Sequence, residues 1–222
     1  MSELPAPGST ARTRVKRLPD KAVQDRETAY AILDAGLVAH VAVVTDDQPY
    51  VVPVGYARIG DDVVFHGSSA SRLFTTLAAG TPTCLTVTLL EGLVLARSLF
   101  ESSMHYRTVM ALGSCRLLEG DDEVQALLDL SERLMPGRTA DARHPAPQEL
   151  KATITLALPL DEISVKVGDG PPDDVDSDLI DPVYSRIWAG YVPISESFGE
   201  PVADELAAGI PLPDYVRTWR RP

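Results

Sequence analysis

Residues 37–72 read LVAHVAVVTDDQPYVVPVGYARIGDDVVFHGSSASR. β-branched residues recur through the stretch, and TDDQP and RIGDD interrupt them. Turn residues between β-like runs mark reversals between antiparallel strands. The pattern predicts three strands, over 37–45, 49–58 and 62–67. Pro53 falls inside the second. Proline cannot donate to a sheet ladder, so this position predicts an edge or a bulge. The third strand runs into FHGSSASRLFTTLAAG, residues 65–80. Leu73, Phe74 and Leu77 share one helical face there, and Gly80 stops the helix.

The junction admits two readings. Ser68, Ser69 or Ser71 can cap the helix while Arg72 stays in water. Alternatively, these serines hold an anion together with His66 and Arg72. The first amides of a helix lack partners and carry the positive end of its dipole. An arginine adds a two-pronged, charge-assisted bond. Gly67 would then let the backbone approach the anion closely.

Upstream, DRETAYAILDAG predicts a helix with Asp25 as N-cap and Gly36 as its end. Ala29, Ile32 and Leu33 form its apolar face. Downstream, PTCLTVTLLEGLVLARSLF and HYRTVMALGSCRLLEG predict long β segments, with a tight turn at LEG and an irregular ESSM. DDEVQALLDLSERLMPG predicts an amphipathic helix with Val124, Leu127, Leu128 and Leu134 inward. PQELKATITLALPLDEISVKVG starts as a helix and ends as one or two strands. After Gly168 the chain turns acidic and proline-rich, with RIWAGYVPI as an ordered island. Three regions follow: a disordered arm (1–15), a barrel domain (16–168), and an extension (169–222) that packs on the barrel or on a partner.

The chain has 222 residues and 45% hydrophobic content, enough for one domain with a real core. Its net charge of −12 opposes nucleic-acid binding, which needs a basic footprint. No apolar run is long enough to span a bilayer, and no secretory leader is visible. Cys84 and Cys115 sit in β-like runs without ligand spacing, which suits a reducing cytoplasm and no metal. His40, His66, His105 and His144 form no metal-binding pattern. His40 reads as a core histidine, His105 as a strand residue near a polar bend, and His144 as a loop residue.

The series from DRETAYAILDAG to FHGSSASR resembles the flavin-binding split barrels of the pyridoxamine 5′-phosphate oxidase-like superfamily, in the branch of the nitroimidazole-resistance proteins. CLTVTLLEGLVLARS, MHYRTVMALGSCRLLE, ELKATITLALPLDEISVKVGDGPPDD and WAGYVPI extend the likeness over roughly residues 16 to 194. The resemblance implies a mainly β fold with flanking helices: a six- or seven-stranded antiparallel split β-barrel, as a homodimer. It implies FMN at the subunit interface. Gly67, Ser68, Ser69, Ser71 and Arg72 match the segment that holds the flavin phosphate. Val51, Val52, Pro53 and Val54 match the strand along the flavin ring. Arg97, Ser98, Tyr106 and Arg107 match the strand pair near the ring and the opposite subunit. His66 matches a histidine beside the flavin, and reads as a catalytic proton donor, a ligand contact or a strand-end residue that fills the barrel rim.

Trp188 either closes a core or interface or stacks on the flavin. YVVPVGY carries no Arg or Lys where the oxidases proper have a basic motif, and VRTWRRP does not match their substrate signature. The expectation is therefore an FMN-dependent oxidoreductase acting on an unidentified small molecule rather than on vitamin B6. The alternatives are a non-catalytic flavin or haem module and an F420-dependent reductase. A long anionic F420 tail calls for several cations, and Arg72 alone is evident.

Overall fold

The computed structural model describes residues 4–219. Its strands are β1 (Ala22–Val23), β2 (Val38–Thr45), β3 (Gln48–Ile59), β4 (Asp62–Ser68), β5 (Thr83–Leu95), β6 (Ser103–Gly113), β7 (Arg116–Leu118), β8 (Thr153–Pro159), β9 (Glu162–Gly168) and β10 (Gly190–Pro193). Its helices are α1 (Arg26–Ala35), α2 (Arg72–Ala78), α3 (Gly120–Leu134), α4 (Arg138–Asp141), α5 (Pro147–Lys151), α6 (Asp176–Ile180) and α7 (Asp214–Arg217). None of the described helices is long and apolar enough to cross a membrane.

Every ladder is antiparallel, in the order β1-β9-β6-β5-β2-β3-β4-β8-β7, with β10 added to β5. The path does not close on itself among the described residues, which gives a split barrel. The seven long strands are those expected. The short β1, β7 and β10, of two to four residues, bring the total to ten.

The β2–β3 hairpin turns at Asp46 and Asp47, both in the left-handed region (φ 52 and 58). This is the turn whose twist matches the strands it joins. β3 then serves two neighbours in succession. Residues 48–55 pair with β2, and residues 56–59 pair with β4. The first part therefore has a strand on one side only, and Pro53 sits on it opposite His40.

Side chains alternate across β4. Val63 and Phe65 point into the main core, with Ile32, Leu33, Leu77, Leu85, Leu156 and Leu158. Val64 faces the other way, into a smaller cluster with Ala57, Ala126, Leu130 and Ala157. α1 covers the main core with the three residues expected, and Asp25 caps it by accepting from the Thr28 amide at 2.8 Å. Bonds from the Thr28 hydroxyl and amide hold the Asp25 carboxyl below the usual carboxylate range. Tyr56 Oη donates to the Leu33 carbonyl at 2.5 Å, tying the last turn of α1 to β3.

Three expectations change. α3 buries Ala126, Leu127 and Leu130, while Val124, Leu128 and Leu134 are only half-buried. Small alanines let that stripe lie close against Ala57 and Ala157. LEG (90–92) makes no turn: β5 continues through it with a β-bulge between Leu90 and Gly92. The bulge admits β10, whose Val192 carbonyl would lie 2.9 Å from a Cβ at Gly92. Finally, the stretch expected to be an arm lies on β9 where it is described. The Gly8 amide donates to the Ile163 carbonyl at 2.8 Å, and Thr13 is buried. Residues 1–3 and the terminal residues 220–222 lie outside the described ones.

Gly67 is open to a direct test. A Cβ there would sit 2.1 Å from Cε2 of the buried Phe74 ring. Gly67→Ala should destabilise the fold by about 1–3 kcal/mol through overpacking. A second change, Phe74→Leu, should recover part of that loss in denaturant unfolding, because it vacates the same space.

Candidate functional site

β4 ends at Ser68 and α2 begins at Arg72, so the serine loop spans the gap between strand and helix. The Ser69 amide donates to the Ala152 carbonyl at 2.9 Å, and the Ser71 amide to the Ser68 carbonyl at 2.9 Å. The Ala70 amide donates to Ser68 Oγ at 3.2 Å. Loop amides are thus already committed. Ser71 occupies the N-cap position of α2, yet its side chain makes no capping bond. The simple capping reading therefore fails at the residue that should carry it. The Ser69 and Ser71 hydroxyls have no partner among the described residues and are left for something else.

Arg72 is exposed, and no carboxylate pairs with it among the described residues. Its guanidinium carbon lies 3.9 Å from the centroid of the Tyr50 ring. A cation over an aromatic face is held in orientation without being neutralised. Tyr50 belongs to the half of β3 that has a neighbour on one side only. Beyond it Val51 and Val52 are 62% and 37% exposed, Pro53 is exposed, and Val54 is half-buried. Successive strand residues face opposite sides. Exposure of three in a row means both faces of this apolar strand are bare. The fold thus brings an oriented cation and free hydroxyls near an uncovered apolar strand edge.

Gly67 has a different reason to be glycine than the one expected. Its Cα face is filled by the Phe74 ring, so packing within the chain accounts for it. His66 lies on the opposite side of β4 from Phe65, next to Thr155 of β8. The imidazole is reachable from solvent. Its surroundings still exclude enough water to push its pKa below the ordinary 6.5.

The second set of expected residues lies farther along β5 and β6 and is bound up within the chain. The Arg97 amide and guanidinium both bond the carboxylate of Asp174, at 2.6 and 2.5 Å. Asp174 comes from the acidic block that the sequence suggested only breaks the last strand. Ser98 Oγ accepts from the Glu101 amide at 3.1 Å and so shapes the β5–β6 reversal. Arg107 Nε donates to Glu91 at 2.7 Å. The Tyr106 ring packs by Gly168. Trp188 is 66% exposed and leans on Gly190, where a Cβ would meet its ring at 2.9 Å. These five residues do not join the Arg72 group.

Tyr50 escaped the sequence reading, whereas His105 lies on a strand, as expected. Tyr50 carries no local sign that it meets an arginine 22 positions on. His105 of β6 is 9% exposed, its Nε2 has no partner, and its ring lies 4.8 Å from that of Tyr191.

Comparison with known proteins now adds a family. The family profile described as pyridoxamine 5′-phosphate oxidase matches residues 25–167. A solved FAD and heme binding protein from Mycobacterium smegmatis is 41% identical, covering 89% of this chain and 96% of that one, with a TM-score of 0.83. The flavocytochrome Anf3 from Azotobacter vinelandii is 37% identical, covering 98% and 100%, with a TM-score of 0.89. A candidate 5-nitroimidazole antibiotic resistance protein from Bacteroides thetaiotaomicron shares the fold at 20% identity, covering 66% and 86%, with a TM-score of 0.56. Curated protein sequences gave no match. An open antiparallel barrel in this strand order, the profile over 25–167 and two relatives spanning most of the chain agree: the chain belongs to the pyridoxamine 5′-phosphate oxidase family.

Proposed function

We propose that the chain binds a flavin nucleotide and works as an oxidoreductase on a small molecule. The observation that carries this reading is Arg72, exposed, free of any described carboxylate and oriented by the Tyr50 ring. On a chain of net charge −12, a cation left without an acid suits an anion brought from outside. Arg72 with the Ser69 and Ser71 hydroxyls would hold a phosphate. The bare edge Val51–Val54 offers apolar contact and free backbone groups to the ring system. FMN and FAD share the riboflavin phosphate, so these residues serve either one. A second copy of the chain would cover what the flavin leaves bare, giving a homodimer with the cofactor at its interface.

When bound, the flavin supplies electron and hydride transfer. The protein orients it and excludes water. His66, neutral near pH 7 because of its lowered pKa, can hold or give a proton at its imidazole. A second reading adds haem. Both relatives that span most of this chain are named for it, one as an FAD and heme binding protein and one as a flavocytochrome. A neutral imidazole is also the form that binds a metal, so His66 fits this reading too.

An absorption spectrum of the purified protein, with titrations of FMN, FAD and hemin, separates these readings. Oxidised-flavin bands support the first, and a Soret band beside them adds haem. A colourless protein that takes up neither FMN nor FAD overturns the proposal. Arg72→Ala should weaken flavin binding by about 1.5–3 kcal/mol, the worth of a hydrogen bond to a charged group. Unchanged affinity would move the phosphate elsewhere.

His66 sets a pH dependence whose sign follows from its shift. Its folded pKa lies below 6.5, so between the two values the unfolded chain binds more protons. Stability should therefore fall as pH drops through that window, and His66→Gln should flatten the trend. NMR titration of the His66 ring should give a midpoint below 6.5.

A further inference from the structure

We propose that residues 199–212, between β10 and α7, form an arm that grips a second copy of this chain at its residues 14–18. This rests on the homodimer of the flavin reading and names the segments that hold it together. Both ends of the arm are tied to the end of α3. Trp219 Nε1 donates to the Leu134 carbonyl at 3.0 Å, and the Phe198 ring lies 4.1 Å from that of Trp219. Tyr215 packs against Gly137, and its hydroxyl accepts from Arg138 at 3.1 Å. Between these anchors the chain turns its apolar side chains outward. Val202 is 94% exposed and Leu206 91%, and Ile210 is exposed as well. Aliphatic side chains bared this close together in sequence, on a segment fixed at both ends, mark a contact surface.

Charge identifies the partner. The arm carries Glu200, Asp204 and Glu205 and no cation. Asp204 is engaged within the arm, accepting from the Ala207 amide at 2.8 Å. Glu200 and Glu205 are exposed and have no partner among the described residues. Residues 14–18 are the converse. Arg14, Lys16 and Arg17 are exposed with no carboxylate partner among the described residues, and Leu18 is exposed beside them. This basic ridge is ordered by its neighbours: Thr13 is buried, its hydroxyl bonds that of Thr10 at 2.9 Å, and Arg12 pairs with Glu162. No hydrogen bond or ion pair joins arm and ridge within one chain among the described residues. An acidic, apolar arm and a basic ridge with its own leucine are therefore complementary across two copies. Each copy offers both surfaces, so a two-fold dimer forms the contact twice.

Dimer dissociation of the full chain, followed by analytical ultracentrifugation, is the test. The wild type should be dimeric. Glu200→Lys with Glu205→Lys should weaken the dimer by at least about tenfold, because like charges then face each other. Arg14→Glu with Arg17→Glu should do the same. The first pair raises the net charge and the second lowers it, so a general charge effect would not weaken both. All four changes together should recover most of the loss, since the ion pairs re-form with their signs exchanged. Circular dichroism checks that each variant folds. If a reversed chain does not, Leu206→Ser decides, and should weaken the dimer by about tenfold through lost apolar burial. A wild-type monomer overturns the proposal and the homodimer of the flavin reading with it. A wild-type dimer that either reversal or Leu206→Ser leaves unchanged, or that the combined variant does not recover, overturns the arm alone.

Discussion

The structure turns on one strand that changes partners. β3 pairs with β2 as far as Gly55 and with β4 from Tyr56 onward. The switch is anchored by Tyr56, whose hydroxyl holds the last turn of α1 from inside the core. Proline inside the first half removes a donor from the edge that faces away from β2. The barrel is therefore open along an apolar strand that a closed sheet would have buried. Everything assigned to the Arg72 group follows from that opening, because Tyr50 and Val51–Val54 are available only while no strand covers them.

Arginine is used in contrasting ways. Arg58, Arg97, Arg107 and Arg116 each meet a carboxylate of this chain. Arg97 is the firmest of these, because the Asp174 side chain is only 6% exposed and also accepts from the Arg97 amide. The contact fastens the extension to the β5–β6 reversal. Arg72 instead rests on an aromatic ring. The same residue type thus works as a clasp in one place and stays free of any described carboxylate in another. Which role it takes depends on whether the fold brings a carboxylate to it.

This division also explains what was legible beforehand. Contacts between near neighbours could be read. Asp25 capping α1, the two aspartates of the β2–β3 turn and the edge proline are local features with local signatures. The serine loop was visible as well, though its capping role could be rejected only by finding the Ser71 side chain unbonded. Contacts between distant segments were hidden. Arg97 meets Asp174 across 77 positions, and no pattern around either announces the other. Gly67 invited a ligand-centred explanation, while the real neighbour was Phe74 on the next helix. The LEG triplet looked like a turn because Glu-Gly often ends a strand. Only the docking of β10 shows why the strand bulges and continues instead.

The extension carries that last point further. Residues beyond 167 contribute no large core, yet they make specific demands on the barrel. Gly92 must lack a side chain for β10 to pair, and Gly190 must lack one for Trp188 to lie across it. Tyr191, on that same short strand, then meets His105. A segment retained only for solubility would require none of these fits. Hydrogen bonds to β5, a salt bridge to Arg97 and a ring against a buried histidine hold it at one end of the sheet, while the uncovered half of β3 stays free of it.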